Sequence, residues 1–121
     1  MQEKRSTEWA WPEELDALSA APAHHTLLFE NESVRVLDTR IPPGEKTILH
    51  THRWPASLYI LSWSDFTRFD KDGRVVFSSK EIVNPPSPGS ALWSEPLAPH
   101  ALQNTGLAAL HVVSVEIKTA R

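Results

Sequence analysis

Cysteine is absent from this 121-residue chain. That excludes disulfides, thiolate nucleophiles, and every zinc or iron–sulfur centre that draws sulfur from cysteine. A bound metal must therefore rest on His, Asp or Glu, and the six histidines become the donors to follow. A basic face is also missing. Lys plus Arg number 12 against 15 Asp plus Glu, a formal net charge of -3, and no cationic cluster stands ready to neutralise phosphates. Nucleic acid is not an expected partner. No apolar run approaches the ~18–20 residues that cross a bilayer, so no membrane partner is expected either. Met1-Gln2-Glu3-Lys4-Arg5 leads into polar residues rather than an apolar signal core, which points to a cytoplasmic location and a frayed end over residues 1–5. Glycine is sparse, four against ten prolines, which favours rigid turns and short elements over long helices.

What remains is enough for one domain, with 40% hydrophobic residues to fill a single core and no length for a second. Residues 11–22 read as a short helix: Pro12 suits the first helical position, Glu13 and Glu14 the positive dipole end, and Pro22 the stop. Trp11, Leu15 and Leu18 form its apolar stripe. Beyond it the pattern shifts to β-type runs at 26–30, 33–41, 46–52, 56–63, 65–70, 74–79, 90–94 and 107–117. Asp72-Gly73, between Phe69 and Val75, is the strongest local hairpin signal. Strands this short and numerous specify an all-β antiparallel sandwich or barrel over 26–121, behind an arm and short helix over 1–25.

His50-Thr51-His52 ends one predicted strand. Residues two apart share a face, so both imidazoles can converge inside a barrel. Gly44 stands five residues before His50. Downstream, Gly89 precedes Glu95 by a similar gap, and His100 is followed after three residues by Asn104.

On these paired motifs the chain resembles a small single-domain cupin of the uncharacterised bacterial type, a jelly-roll or double-stranded β-helix barrel. The first family motif runs Gly, five residues, His-x-His, three or four residues, Glu, six residues, Gly. Gly44, His50 and His52 match it, while Ser57 and Ser64 fall on the Glu and the last Gly. In the second motif Gly89, His100 and Asn104 match, while Glu95 and Leu97 replace its Pro and Gly. The similarity spans roughly residues 26–118 and includes Phe29-Glu30-Asn31-Glu32-Ser33-Val34-Arg35-Val36 and Ile41-Pro42-Pro43-Gly44-Glu45.

The resemblance implies a divalent metal on His50, His52 and His100, with Fe foremost and Ni, Mn, Zn or Cu as the other candidates. The family carboxylate is lost at Ser57, and Glu95 is the one nearby substitute. Three neutral imidazoles leave the site near about +2, which favours anionic or chelating substrates. The bland alternative is a site without metal, where the His pair hydrogen-bonds within a polar cavity.

On the last strand Ser114, Glu116 and Lys118 form the polar set, which puts His111 on the inward face with Val113 and Val115. There it serves as a general base or supports the metal ligands; the alternative is a core histidine satisfied by one hydrogen bond. Tyr59 shares the parity of Ser57 and would donate to a metal-bound ligand, or else form an aromatic wall. Arg53 would orient a substrate carboxylate beneath Trp54, or remain solvated. Trp93 is placed at the pocket or in the core. His24 and His25 are expected at the surface where the helix ends. Trp9, Trp11 and the helix cover a barrel end or pack on a second subunit, and a homodimer through an outer sheet face is expected.

Two function classes stay open. One is a metal-dependent enzyme acting on a small molecule, dioxygenase-like with Fe(II) or an isomerase or lyase with another metal. The other is a non-catalytic small-molecule binder or sensor that has lost the ligand carboxylate.

Overall fold

The structure, a computed structural model, describes residues 9–119. The stretch 1–5, read above as a frayed end, lies outside them. Nine strands follow a short helical segment: β1 His25–Glu30, β2 Val34–Ile41, β3 His50–His52, β4 Ala56–Ser62, β5 Phe66–Asp70, β6 Val75–Ser78, β7 Ala91–Ser94, β8 Leu97–Asn104 and β9 Leu110–Ile117. They form a five-stranded sheet in the order β1-β2-β9-β4-β7 and a four-stranded sheet in the order β3-β8-β5-β6. Every strand pairing within them is antiparallel. The β5–β6 hairpin turns at Gly73, as its Asp-Gly signal predicts. No helix among the described residues is long and apolar enough to cross a membrane.

The helix expected over 11–22 is broken. A 3-10 turn at Glu13–Leu15 is separated from the α-helix α1, Ala17–Ala20, by Asp16 in an extended conformation. The Asp16 side chain interrupts the helix because it has other partners. It accepts from Leu18 N at 3.0 Å and takes both terminal nitrogens of Arg35, each at 2.9 Å. Its backbone bridges Thr51 beside β3. Ala17 and Ala21 are fully buried, so the segment closes one end of the barrel, as one of its two expected roles requires.

Strand β8 was not among the predicted runs, because it lacks β-branched residues and contains Pro99. Pairing on both sides makes it a strand: β3 borders it at one edge and β5 at the other. Pro99 sits where the β3–β8 register shifts between the His50↔His100 and His52↔Leu97 pairs, a place where its missing N–H is tolerated. The run expected at 46–52 shortens to three residues, and the one at 107–117 begins at Leu110.

The motif glycines hold turns. Gly44 and Gly89 have φ of 83° and 91°, a region L-residues rarely enter, and each follows a proline in a tight turn. Asn104 is 1% exposed and ties four places together. Its Nδ2 donates to Ile41 O and Ala108 O, and its Oδ1 accepts from Ser64 Oγ and Gly106 N, all between 2.8 and 2.9 Å. At this end the apolar core gathers Ile41, Phe66 and Leu110, with Trp63, Phe77 and Leu102 against them. The opposite end is polar.

Candidate metal centre

Four imidazoles meet at the polar end. His50 and His52 lie on β3, and His100 stands directly opposite His50 on β8. The ring centroids of His50 and His100 are 4.4 Å apart, and those of His50 and His52 5.0 Å. The three rings lie side by side, His52 and His100 5.7 Å apart, but the grouping tight enough to share one ion leaves out His100. The fourth, His25, was expected at the surface and is instead 4% exposed, with its ring 4.7 Å from that of His50. His25, His50 and His52 each offer a ligand atom within 4.8 Å of the others, a grouping able to hold a metal ion. His24 also turns away from solvent, its side chain 10% exposed and 2.8 Å from Glu45.

Nδ1 of each ring in the cluster faces an oxygen. His25 donates to Ala21 O at 2.9 Å, His50 to Ile48 O at 2.7 Å, and His100 to Ala98 O at 2.8 Å. A carbonyl only accepts, so these three Nδ1 atoms carry the hydrogens and, in the neutral rings, Nε2 keeps its lone pair. His52 Nδ1 faces Glu116 Oε2 at 3.2 Å. The Ala21 carbonyl, just past the end of α1, also accepts from His24 N at 3.3 Å, so the His25 ring is fixed to the turn that follows the helix.

Burial keeps the rings of His25, His50 and His100 neutral. Desolvation, reinforced by His100, lowers the His50 pKa to about 2. Desolvation and then His52 lower that of His100 to about 3 and that of His25 to about 4. Neutral imidazole is the form that ligates, and an all-nitrogen donor set suits Fe, Ni, Cu or Zn better than Mg or Ca. The residues fit a transition-metal ion.

Behind His52 runs a buried ionic chain. Glu116, 1% exposed, takes Arg35 Nε on Oε1 at 2.6 Å while Oε2 holds His52. The two other guanidinium nitrogens of Arg35 clasp Asp16. Trp54 covers the guanidinium at 5.1 Å. Burial opposes the charge of Arg35, but its hydrogen bonds to Asp16 and Glu116 outweigh that and hold its pKa above the usual value. Burial likewise raises Asp16, yet the Arg35 bond and charge bring it net below the ordinary carboxylate value. Sequence reasoning missed this chain. Its one legible sign is that Arg35 is in phase with Leu37 and Ile41 on a predicted strand, a cation on an inward face.

The cavity beside the histidines has a volume of about 320 Å³ and runs into the apolar core. Its walls correct the expected facing of two strands. On β9 the inward residues are Leu110, Val112, Ser114 and Glu116; on β4 they are Ala56, Leu58 and Ile60. His111 therefore points outward, where Nε2 meets Asp38 Oδ1 at 2.7 Å. Hydrophobicity misled here because the polar residues of β9 serve the site, and the register Arg35↔Glu116 and Ile41↔Leu110 forces them inward. Tyr59 is 48% exposed on the outer face, and Ser57 shares that parity. Arg53 lies in a separate groove under the N-terminal segment, with its guanidinium 5.6 Å from the Trp54 ring centre. Glu95 is exposed and accepts from Trp93 Nε1 at 2.8 Å, away from the cluster. Trp93 itself is 57% exposed at the pocket edge.

No family model and no curated protein sequence matches the chain. Solved structures do. A cupin domain from Bordetella pertussis Tohama I superposes with a TM-score of 0.60 at 22% identity, covering 77% of this chain and 90% of that one. An RmlC-like cupin family protein with a double-stranded β-helix fold, from Methanocaldococcus jannaschii, gives 0.52 at 17% identity over 77% and 79% of the two chains. The chain has the cupin fold. An uncharacterized conserved protein with a double-stranded β-helix domain, from Klebsiella pneumoniae, is similar at 0.52 and 18% identity, over 80% of this chain and 78% of its own. Within the cupin barrel, the end where β3 and β8 meet is where this chain gathers its imidazoles.

Proposed function

We propose that this cupin binds a divalent transition metal on Nε2 of His50, His52 and His100, with His25 as a further ligand, and acts on a small molecule in the adjoining cavity. The supporting observation is the anchoring of all four rings through Nδ1, which aims them before any ion arrives. Glu116 stands behind His52 as a carboxylate partner, a pattern that raises the basicity of a ligating imidazole. The carboxylate lost from the ligand position at Ser57 thus has a counterpart one step removed. Fe is the ion this reading puts first, and like Ni or Mn it accepts six ligands, which keeps positions open for a substrate even with four imidazoles bound, as a tetrahedral ion does not. Bound there, the metal supplies Lewis acidity and, as Fe(II), access to O2 chemistry of the dioxygenase type. The chain's own part is to hold neutral imidazoles, exclude bulk water with Trp54 and the apolar walls, and orient the substrate.

A second reading, ligand binding without turnover, has one observation in its favour. Among the described residues, His111, Tyr59 and Arg53 lie outside the cavity lining, and the inward carboxylate of Glu116 is already engaged. Elemental analysis of untagged protein, followed by calorimetric titration of the metal-free chain with Fe(II), Ni(II) and Zn(II), tests the proposal. Tight one-to-one binding that is lost in His50→Ala and His100→Ala supports it; binding unchanged in both variants refutes it. A substrate screen with the metal-loaded protein then separates enzyme from binder.

A further inference from the structure

Among the described residues, two buried polar atoms in the cavity wall have no hydrogen-bond partner: Arg68 Nε on β5 and Ser114 Oγ on β9. They belong to opposite sheets and face the same space. Among the described residues lining it, Arg68 is the one Lys or Arg. The contrast with Arg35, the other inward arginine, is sharp: two carboxylates engage all three nitrogens of that guanidinium. The nearby acids are committed elsewhere. Glu116 holds Arg35 and His52, Asp65 accepts from Ser79 Oγ, and Asp70 accepts from Asp72 N and Arg74 N. What Arg68 does have is aromatic support, its guanidinium carbon 5.4 Å from the Phe77 ring centre and 5.9 Å from that of Phe66. Flanking rings hold the planar fork without neutralising it.

We propose that Arg68 anchors the carboxylate of a small ligand whose apolar or aromatic body fills the cavity between Arg68 and the histidines. The spacing suits one molecule. Arg68 pairs with Leu102 on β8, and His100 lies two residues from Leu102 on the same face, about 7 Å along that strand at the usual rise. A ligand held by its acid group at Arg68 presents its other end to the imidazoles, and Ser114 Oγ offers it a lateral hydrogen bond. Burial with no counter-ion lowers the pKa of Arg68, so the free pocket carries a desolvated cation that an anion relieves. Arg53, the arginine singled out by sequence for this role, sits in the other groove. The identity of the far end rests on the metal reading above; the acid anchor does not.

The test titrates the full chain with 3-phenylpropionate and with its neutral amide of matched shape, following chemical shifts in chelator-treated and in Zn(II)-loaded protein. The expected result is acid binding at least about tenfold tighter than amide in both forms, as a buried charge-assisted hydrogen bond supplies. Arg68→Met should abolish that preference with an unchanged melting curve, and Arg68→Lys should restore part of it. Equal binding of acid and amide by the unmodified protein, including binding of neither, overturns the proposal. So does a preference that survives in Arg68→Met. If the protein takes up no metal yet keeps the preference, the metal reading fails and this one stands.

Discussion

Arg35 and Glu116, 81 residues apart in sequence, face each other across the β2–β9 ladder with Nε and Oε1 2.6 Å apart. The pair joins two things that the sequence keeps separate. Through Asp16 it fastens the N-terminal segment, and through Glu116 Oε2 it orients His52. Arg35→Met should therefore destabilise the fold by about 3–5 kcal/mol, because it strands the buried Glu116 charge. Urea melts check the size of the effect. Glu116→Gln, which keeps the shape, should weaken metal binding about 10–100-fold by calorimetry, the usual effect of losing an outer-shell partner.

His25 carries the second prediction. His25→Ala should reduce metal affinity, whereas His24→Ala, whose ring pairs with Glu45 rather than the cluster, should leave it unchanged. Competition with a colorimetric chelator measures both in parallel.

The metal-free chain should lose stability in mild acid. His25, His100 and His50 titrate at about 4, 3 and 2 in the folded protein, against 6.5 when unfolded. Between those values the unfolded state binds more protons, so folding is favoured as pH rises. Stability is full above about 6.5 and declines as pH falls toward 4 and below. Melting temperatures of chelated protein at stepped pH should trace that decline. Replacing His50 by Gln should flatten it.

Asn104 is a structural residue rather than a ligand. Its removal in Asn104→Ala leaves buried partners at Ile41 and Ser64 unpaired and frees the half-buried bonds to Ala108 and Gly106, a loss of about 2–4 kcal/mol in denaturant melts. Metal stoichiometry in the folded fraction should be unaffected.

His111→Ala, Tyr59→Phe and Arg53→Ala should leave metal affinity within about twofold of the unmodified protein, since all three side chains lie outside the cavity lining. A larger drop in calorimetric affinity would place one of them in the site after all.

The barrel and its two histidine motifs were legible because they rest on local signals: strand alternation, Gly-centred turns, and a His-x-His pair that alternation alone keeps on one face. What escaped depends on long-range pairing. Strand β8 gains its identity from two neighbours, not from its own composition. The facing of β9 was inverted because Glu116 and Ser114 look like solvent residues until Arg35 and the cavity lie opposite them. His25 could not be placed from spacing, since its position depends on where α1 ends and on the Ala21 carbonyl found there. Arg68 reads as an ordinary alternating polar residue on a strand whose inward side only the sheet order defines.

The clasp between Asp16 and Arg35, together with the His25–Ala21 bond, has a practical consequence for anyone trimming this protein. Starting expression at residue 26, where the strand pattern begins, would discard one of the four imidazoles and leave Arg35 half ungripped. The stretch from Asp16 to His25 is wall, not packaging.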